Sequence, residues 1–321
     1  MSIQETEKKI YSGTIMFLIA SLFFYLCSYI ERYYQSFLLM YTFLFIVIVF
    51  ITKSTQETLH INKKLKRIIK TKTKINFLLD QFIIILLNLF GFFYFLAVIV
   101  NAFCKKNIIR DNTIIHNNLL FKILTNSSFF SLFYASLFIL IFFIYFVFKS
   151  DLRTNELNNN LAILFYLVFF SACFLSLIFI SYKWSLYVII IATTSDSFAF
   201  LGGRLYGKNL LCPKLSPKKT WEGLLCGNIV ATVISFSFFY QKLDSSIYLP
   251  FAILTIISAI MAQIGDLIVS KFKRDFQIKD FSNTIPGHGG LLDRFDSVLF
   301  LSFFIVLIFL NPFILELDNY L

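Results

Sequence analysis

Two stretches of the chain concentrate the residue types that do phosphate and metal chemistry. In the first, Thr193-Thr194-Ser195-Asp196-Ser197 ends an apolar run and is followed by Gly202-Gly203-Arg204, Gly207-Lys208 and Ser216-Pro217-Lys218-Lys219-Thr220-Trp221-Glu222-Gly223. The second passes from Gly265-Asp266 through Ser270-Lys271-Phe272-Lys273-Arg274-Asp275, Lys279-Asp280 and Ser282 to Ile285-Pro286-Gly287-His288-Gly289-Gly290. It closes on Asp293-Arg294-Phe295-Asp296. Asp293 and Asp296 are three residues apart, which on a helix sets both on one face. Asp266 lies 27 residues before Asp293, at the end of the preceding apolar run, so two helix ends joined by one loop can bring the carboxylates together. Carboxylates gathered in this way repel unless a cation joins them, and hard oxygen ligands beside a phosphate describe Mg2+. The competing arrangement is a structural lattice of Asp266 or Asp296 with Arg274 or Arg294. Three carboxylates beside a glycine-rich loop exceed what a helix tie needs, which favours the metal.

Pro217 restrains the turn ahead of a helix start, where amides and the ammonium groups of Lys218 and Lys219 can converge on an anion. A Lys-Lys pair at such a junction is commonly a topology marker alone. The Gly, Ser and Pro around this one favour a phosphate site. Asp196, inside an apolar run, is costly and points to a polar cavity with a partner; the alternative is a pair with Arg204 that only fixes the helix end. His288 has the flexible glycine backbone that close approach to a ligand uses, although a loop histidine held by a carbonyl is the commoner case. His60 and His116 have no such surroundings. The five cysteines, Cys27, Cys104, Cys173, Cys212 and Cys226, are scattered with no C-x-x-C pair, and indicate neither a disulfide framework nor a zinc site.

The elements that must position these residues are membrane helices. Of 321 residues, 58% are hydrophobic and 15% charged, with 43 Phe and a mean hydropathy of +0.77, which excludes a water-soluble globule and a disordered chain. Apolar runs near 14–30, 37–52, 76–103, 128–148, 161–181, 184–201, 224–240, 247–270 and 295–315 predict an all-α polytopic membrane protein of about nine helices. The run at 14–30 follows a mixed-charge start and lacks a small-residue cleavage site, so a retained span is expected. Segments 1–13, 53–75, 149–160, 202–223 and 271–293 hold 21 of the 29 Lys and Arg residues, against 7 in the segments between them, which sets both motif stretches on the cytoplasmic side. The basic run Lys63-Lys64-Leu65-Lys66-Arg67 serves that topology, with contact to anionic lipid as the alternative. No recognisable nucleic-acid fold accompanies the pI near 9.3, so no nucleic-acid partner is expected. The chain divides into N-terminal transmembrane helices, 1–180, with no assigned function, and a transmembrane catalytic region, 181–321.

The pattern Ser270-x-x-Lys273-Arg274-x4-Lys279-Asp280-x-Ser282-x2-Ile285-Pro286-x-His288-Gly289-Gly290-Leu291-x-Asp293-Arg294-Phe295-Asp296 resembles the signature of the phosphatidate cytidylyltransferases, the CDP-diacylglycerol synthases, without departure. Ser216 to Gly223 is similar to that family's second motif. Asp196 with Ala199 matches less closely, with Phe200 where Tyr is usual and Ser197 where Thr is. The resemblance covers about residues 190 to 300; the first 180 match only in being apolar.

It implies the reaction CTP + phosphatidate → CDP-diacylglycerol + pyrophosphate, with Mg2+ and room for a second cation. By motif position it implies metal ligation by Asp266 and Asp293 with Asp296 in support, and catalytic roles for Asp266, Asp293, Lys219 and Arg294. Lys218, Lys219, Lys273, Arg274 and Arg294 would hold the phosphates of CTP and of the lipid head, and Asp196, Arg204, Ser216 and His288 complete the substrate-binding set. A phosphate monoester is already ionised near neutral pH, so no general base is demanded. The implied setting is the bacterial inner membrane with the site facing the cytoplasm, and a homodimer is compatible with it. A CTP-dependent lipid kinase has the same nucleotide and metal needs. An ion-coupled transporter is disfavoured because the outward halves of the spans are nearly featureless.

Overall fold

The computed structural model describes residues 38–66, 74–105, 154–213, 215–239, 248–282 and 289–310. The expected spans at 14–30 and 128–148, and His288, lie outside the described residues. Seven helices are described: α1 (Leu38–Lys66), α2 (Lys74–Lys105), α3 (Thr154–Ile180), α4 (Tyr182–Tyr206), α5 (Trp221–Phe239), α6 (Tyr248–Asp275) and α7 (Leu292–Leu310). Between α4 and α5, β1 (Leu210–Cys212) and β2 (Ser216–Thr220) form an antiparallel two-stranded ribbon, with Leu210 opposite Thr220 and Cys212 opposite Ser216. Five stretches are long and apolar enough to cross a membrane: Ile84–Asn101 in α2, Ala162–Ile180 in α3, and the whole of α4, α5 and α6. The chain is an all-α polytopic membrane protein, with the ribbon as its one departure from helix among the described elements.

Several helices outrun the apolar stretches that announced them. α1 continues to Lys66 through the basic segment expected as a loop, α3 begins at Thr154 inside another expected loop, and α6 runs to Asp275. Hydropathy marks where lipid contact ends, whereas a helix stops only where its backbone is capped. At the start of α4, the Ser181 side chain accepts from the Lys183 amide at 3.4 Å. α6 ends in a left-handed turn at Gln277 (φ 55°), where the Ile278 amide returns to the Lys273 carbonyl and the Gln277 amide to that of Arg274, both at 2.9 Å.

Small residues set how closely the helices meet. A Cβ on Gly227 of α5 would fall 2.5 Å from the Ser195 carbonyl of α4, and one on Gly265 of α6 would fall 2.7 Å from the Phe300 Cβ of α7. In lipid, where apolar burial gives little drive for helices to associate, such close backbone approach is a main source of packing energy. Gly265 also precedes Asp266, so the approach of α6 to α7 delivers that carboxylate to the start of α7. The Tyr166 hydroxyl of α3 donates to the Asp296 carbonyl of α7 at 2.8 Å and fixes the same helix from behind. At the opposite end of α4 to α7, the rings of Trp184, Tyr187, Phe239, Phe251 and Phe309 pack together.

Candidate active site

α4, α6 and α7 each bring one aspartate to a common end of the bundle. Asp196 Oδ2 accepts from the Ser297 hydroxyl at 2.6 Å, and Asp296 Oδ1 accepts from the Ser297 amide at 2.8 Å, so one serine links the acids of α4 and α7. Asp266 and Asp296 lie within side-chain hydrogen-bonding reach of each other, and Asp196 is close enough to both to feel their charge. Asp266 Oδ2 is 2.7 Å from Lys219 Nζ, and its other oxygen accepts from the Ser270 hydroxyl at 3.4 Å. Lys219 reaches this point because the ribbon ends at the helix entrance. The Gly223 amide donates to Thr220 Oγ1 at 3.1 Å, which caps α5, and Glu222 accepts from the amides of Lys208 and Asn209 at 3.1 and 3.2 Å. The Ser216 to Gly223 motif is therefore a strand, a cap and a loop anchor that together aim one lysine inward.

Asp293 is placed differently from the other acids. Its Oδ2 accepts from the amides of Gly290 at 2.8 Å and Phe281 at 3.0 Å, so it closes the loop onto the first turn of α7. Its Oδ1 lies 3.1 Å from Lys273 Nζ, with side chains only 4% and 11% exposed, yet makes no hydrogen bond among the described residues. The ammonium is near enough to neutralise this oxygen. Lys273 also acts on Asp266 and Asp296, and so lies between the two acidic groups.

No three or more Asp, Glu, His or Cys side chains stand at metal-holding spacing among the described residues. The adjoining carboxylates of Asp266 and Asp296 still suit Mg2+, which takes one or two carboxylates and fills its remaining positions with water and phosphate oxygens. The alternative tie of Asp266 to an arginine is not what holds it; its close cation is Lys219. Nor is Asp196 paired with Arg204: the guanidinium that acts on it is Arg294, while Arg204 is exposed in the last turn of α4. Lys218 is exposed on the ribbon, Ser216 is half-buried opposite Cys212, and Arg294 is exposed at the start of α7. Arg274 donates to the carbonyls of Leu215 and Ile278, both at 3.1 Å, and ties the ribbon turn to the end of α6.

Three residues of the site were not singled out in the sequence. Ser297 adjoins Asp296, Tyr166 sits in the apolar stretch of α3, and Gln263 lies one turn before Asp266. The Gln263 side chain donates to Ser195 Oγ at 3.0 Å and to the Leu224 carbonyl at 3.3 Å, joining α6 to α4 and α5. A lone amide in an apolar run was the available signal for it.

Residues 106–312 match the family model described as the Cytidylyltransferase family. The chain belongs to that family. Among curated relatives, a phosphatidate cytidylyltransferase of Rickettsia bellii (strain RML369-C) is 40% identical over 154 residues, covering 46% of this chain and 57% of the relative. One from Haemophilus influenzae is 43% identical over 117 residues (35% and 41%), and one from Bacillus subtilis is 39% identical over 114 residues (36% and 42%). The chain spans about half the length of the curated relatives it matches. All of the acids and lysines described above fall inside the family match, whereas α1 and α2 precede it.

Proposed function

We propose that this member of the cytidylyltransferase family transfers the CMP moiety of CTP to phosphatidate, releasing pyrophosphate. The observation that carries the reading is the meeting of Asp196, Asp266 and Asp296 with Lys219 and Lys273 at one end of the membrane helices. A phosphate oxygen of phosphatidate attacks the α-phosphorus of CTP, a new P–O–P linkage forms, and the bond from the α-phosphorus to the bridging oxygen of pyrophosphate breaks. Both reactants are anions, so bringing them together in a medium of low dielectric demands cations. Lys219 and Lys273, each held by a carboxylate, are fixed where they can offset charge as it spreads over the transferring phosphoryl oxygens. The exposed Lys218 and Arg294 face the side from which a soluble nucleotide arrives. His288 and Ser216 are proposed to complete the binding set. Mg2+ held by Asp266 and Asp296, with Asp293 close by, would neutralise the departing pyrophosphate oxygens.

A site at helix ends meets a soluble nucleotide and a lipid headgroup at once, and the excess of Lys and Arg beside it supports a cytoplasmic orientation in a bacterial inner membrane. An apolar cavity of about 260 Å³ beside the loop, lined by residues that include Phe50, Phe174, Leu291 and Phe295, has the character an acyl chain requires. The test uses purified protein, phosphatidate and Mg2+ with CTP labelled on either the α- or the γ-phosphate. Label from the α-position is expected in the lipid and label from the γ-position in pyrophosphate. Lipid carrying only γ-label would make the chain a kinase and overturn the reading.

A further inference from the structure

We propose that Glu57, on α1, is a positioning residue for the loop that leads into α7, whose first turn carries Asp293 and Arg294. The inference rests on the cytidylyltransferase reading and extends it to a helix that precedes the matched residues 106–312. Glu57 is only 6% exposed. Burying a carboxylate is costly unless hydrogen bonds offset the lost water, and here they come from one loop far away in sequence. Glu57 Oε1 accepts from the Ser282 hydroxyl at 2.7 Å, and both of its oxygens lie 3.0 Å from the Leu291 amide. Oε2 also accepts from the Leu292 amide at 3.4 Å. Leu292 begins α7, so the carboxylate sits against the positive end of that helix and satisfies amides that have no partner within it.

The neighbouring amide shows how this reaches the chemistry. Gly290 N donates to Asp293 at 2.8 Å while Leu291 N donates to Glu57, so two carboxylates on different helices hold successive amides. A Cβ on Gly290 would fall 2.7 Å from Glu57 Oε2, so a side chain there would have to displace the Glu57 carboxylate. Asp293, held by this loop, is the partner of Lys273. Releasing the loop from α1 therefore releases the distance between Lys273 and Asp293. Glu57 acts through these groups and is not placed in contact with the reacting atoms.

The test compares wild type, Glu57→Gln, Glu57→Ala, Ser282→Ala and the Glu57→Ala/Ser282→Ala pair as full chains in detergent, with two readouts. These are hydrogen exchange of the segment 281–294 and turnover per folded molecule. In Glu57→Ala, the Leu291 and Leu292 amides are expected to exchange about tenfold faster, and kcat to fall about tenfold with KM for phosphatidate changed less than about twofold. Glu57→Gln keeps the shape and one acceptor oxygen, so it is expected to fall between wild type and Glu57→Ala, whereas a purely space-filling role would leave it at wild type. Adding Ser282→Ala to Glu57→Ala costs less than the sum of the two single substitutions, because their shared bond is lost only once. Wild-type exchange at those amides, or wild-type turnover per folded molecule despite faster exchange, would overturn the proposal. If wild type itself transfers no CMP, the functional reading fails, while the exchange result still decides whether Glu57 holds the loop.

Discussion

At one end of α4 to α7, aromatic rings meet ring to ring: Trp184 and Phe309 have centroids 4.9 Å apart, and Tyr187 and Phe251 5.5 Å. The polar atom there is used internally, since the Tyr187 hydroxyl donates to Thr255 Oγ1 at 3.2 Å. At the other end, the same helices hold Asp196, Asp266, Asp296 and Asp293, on which Lys219, Lys273 and Arg294 act among the described residues. The first end is complete in itself. The second gathers carboxylates from α4, α6 and α7 within reach of one another and of the Lys219 and Lys273 ammonium groups. On the proposed function, anchoring and chemistry are separated along the length of the same four helices, so substitutions at the two ends should have effects of different kinds.

The largest effect is expected at the charged end. Asp266→Asn leaves Lys219 without its anion and should lower CMP transfer by roughly 10³-fold in an assay with labelled CTP, the upper range for removal of one preorganised electrostatic group. Asp293→Asn should cost roughly 10²-fold, and here faster hydrogen exchange at Phe281 and Gly290 should accompany the loss. The aromatic end should respond in the opposite sense. Trp184→Ala is expected to destabilise the fold by about 3 kcal/mol in a denaturant or thermal titration, while turnover per folded molecule stays within about twofold of wild type. A loss of turnover as large as that of Asp293→Asn in a still-folded Trp184→Ala protein would erase the distinction between the ends. Smallest of all is Lys271→Ala: its partner Asp275 is one turn away on an exposed face, so stability should move by less than about 0.5 kcal/mol and activity not at all.

Much of the charged end was legible in the sequence because its chemistry resides in residue types at the ends of apolar runs. The meeting of Asp266 with Asp296 followed from two spans joined by one loop. The role of Asp293 did not. Its three-residue spacing from Asp296 says they share a face, but Asp293 stands in the first turn of α7, where backbone amides lack helical partners. It turns back to take the Gly290 amide rather than joining the other acids. The two carbonyls that Arg274 also serves, those of Leu215 and Ile278, were not legible either, because a motif does not reveal the turn geometry that presents them. Helix ends beyond the apolar runs were hidden because hydropathy reports lipid contact and not capping. Glu57 was the least legible, since its partners lie 225 to 235 positions away and only the placement of α1 brings them together.

The account stands most directly on CMP transfer by the purified wild-type chain, followed with α-labelled CTP and phosphatidate, with Mg2+ present, after chelation, and after Mg2+ is restored. Label is expected in the lipid, lost on chelation and recovered when the metal returns. No labelled lipid with Mg2+ present, or labelling that chelation leaves untouched, would contradict it.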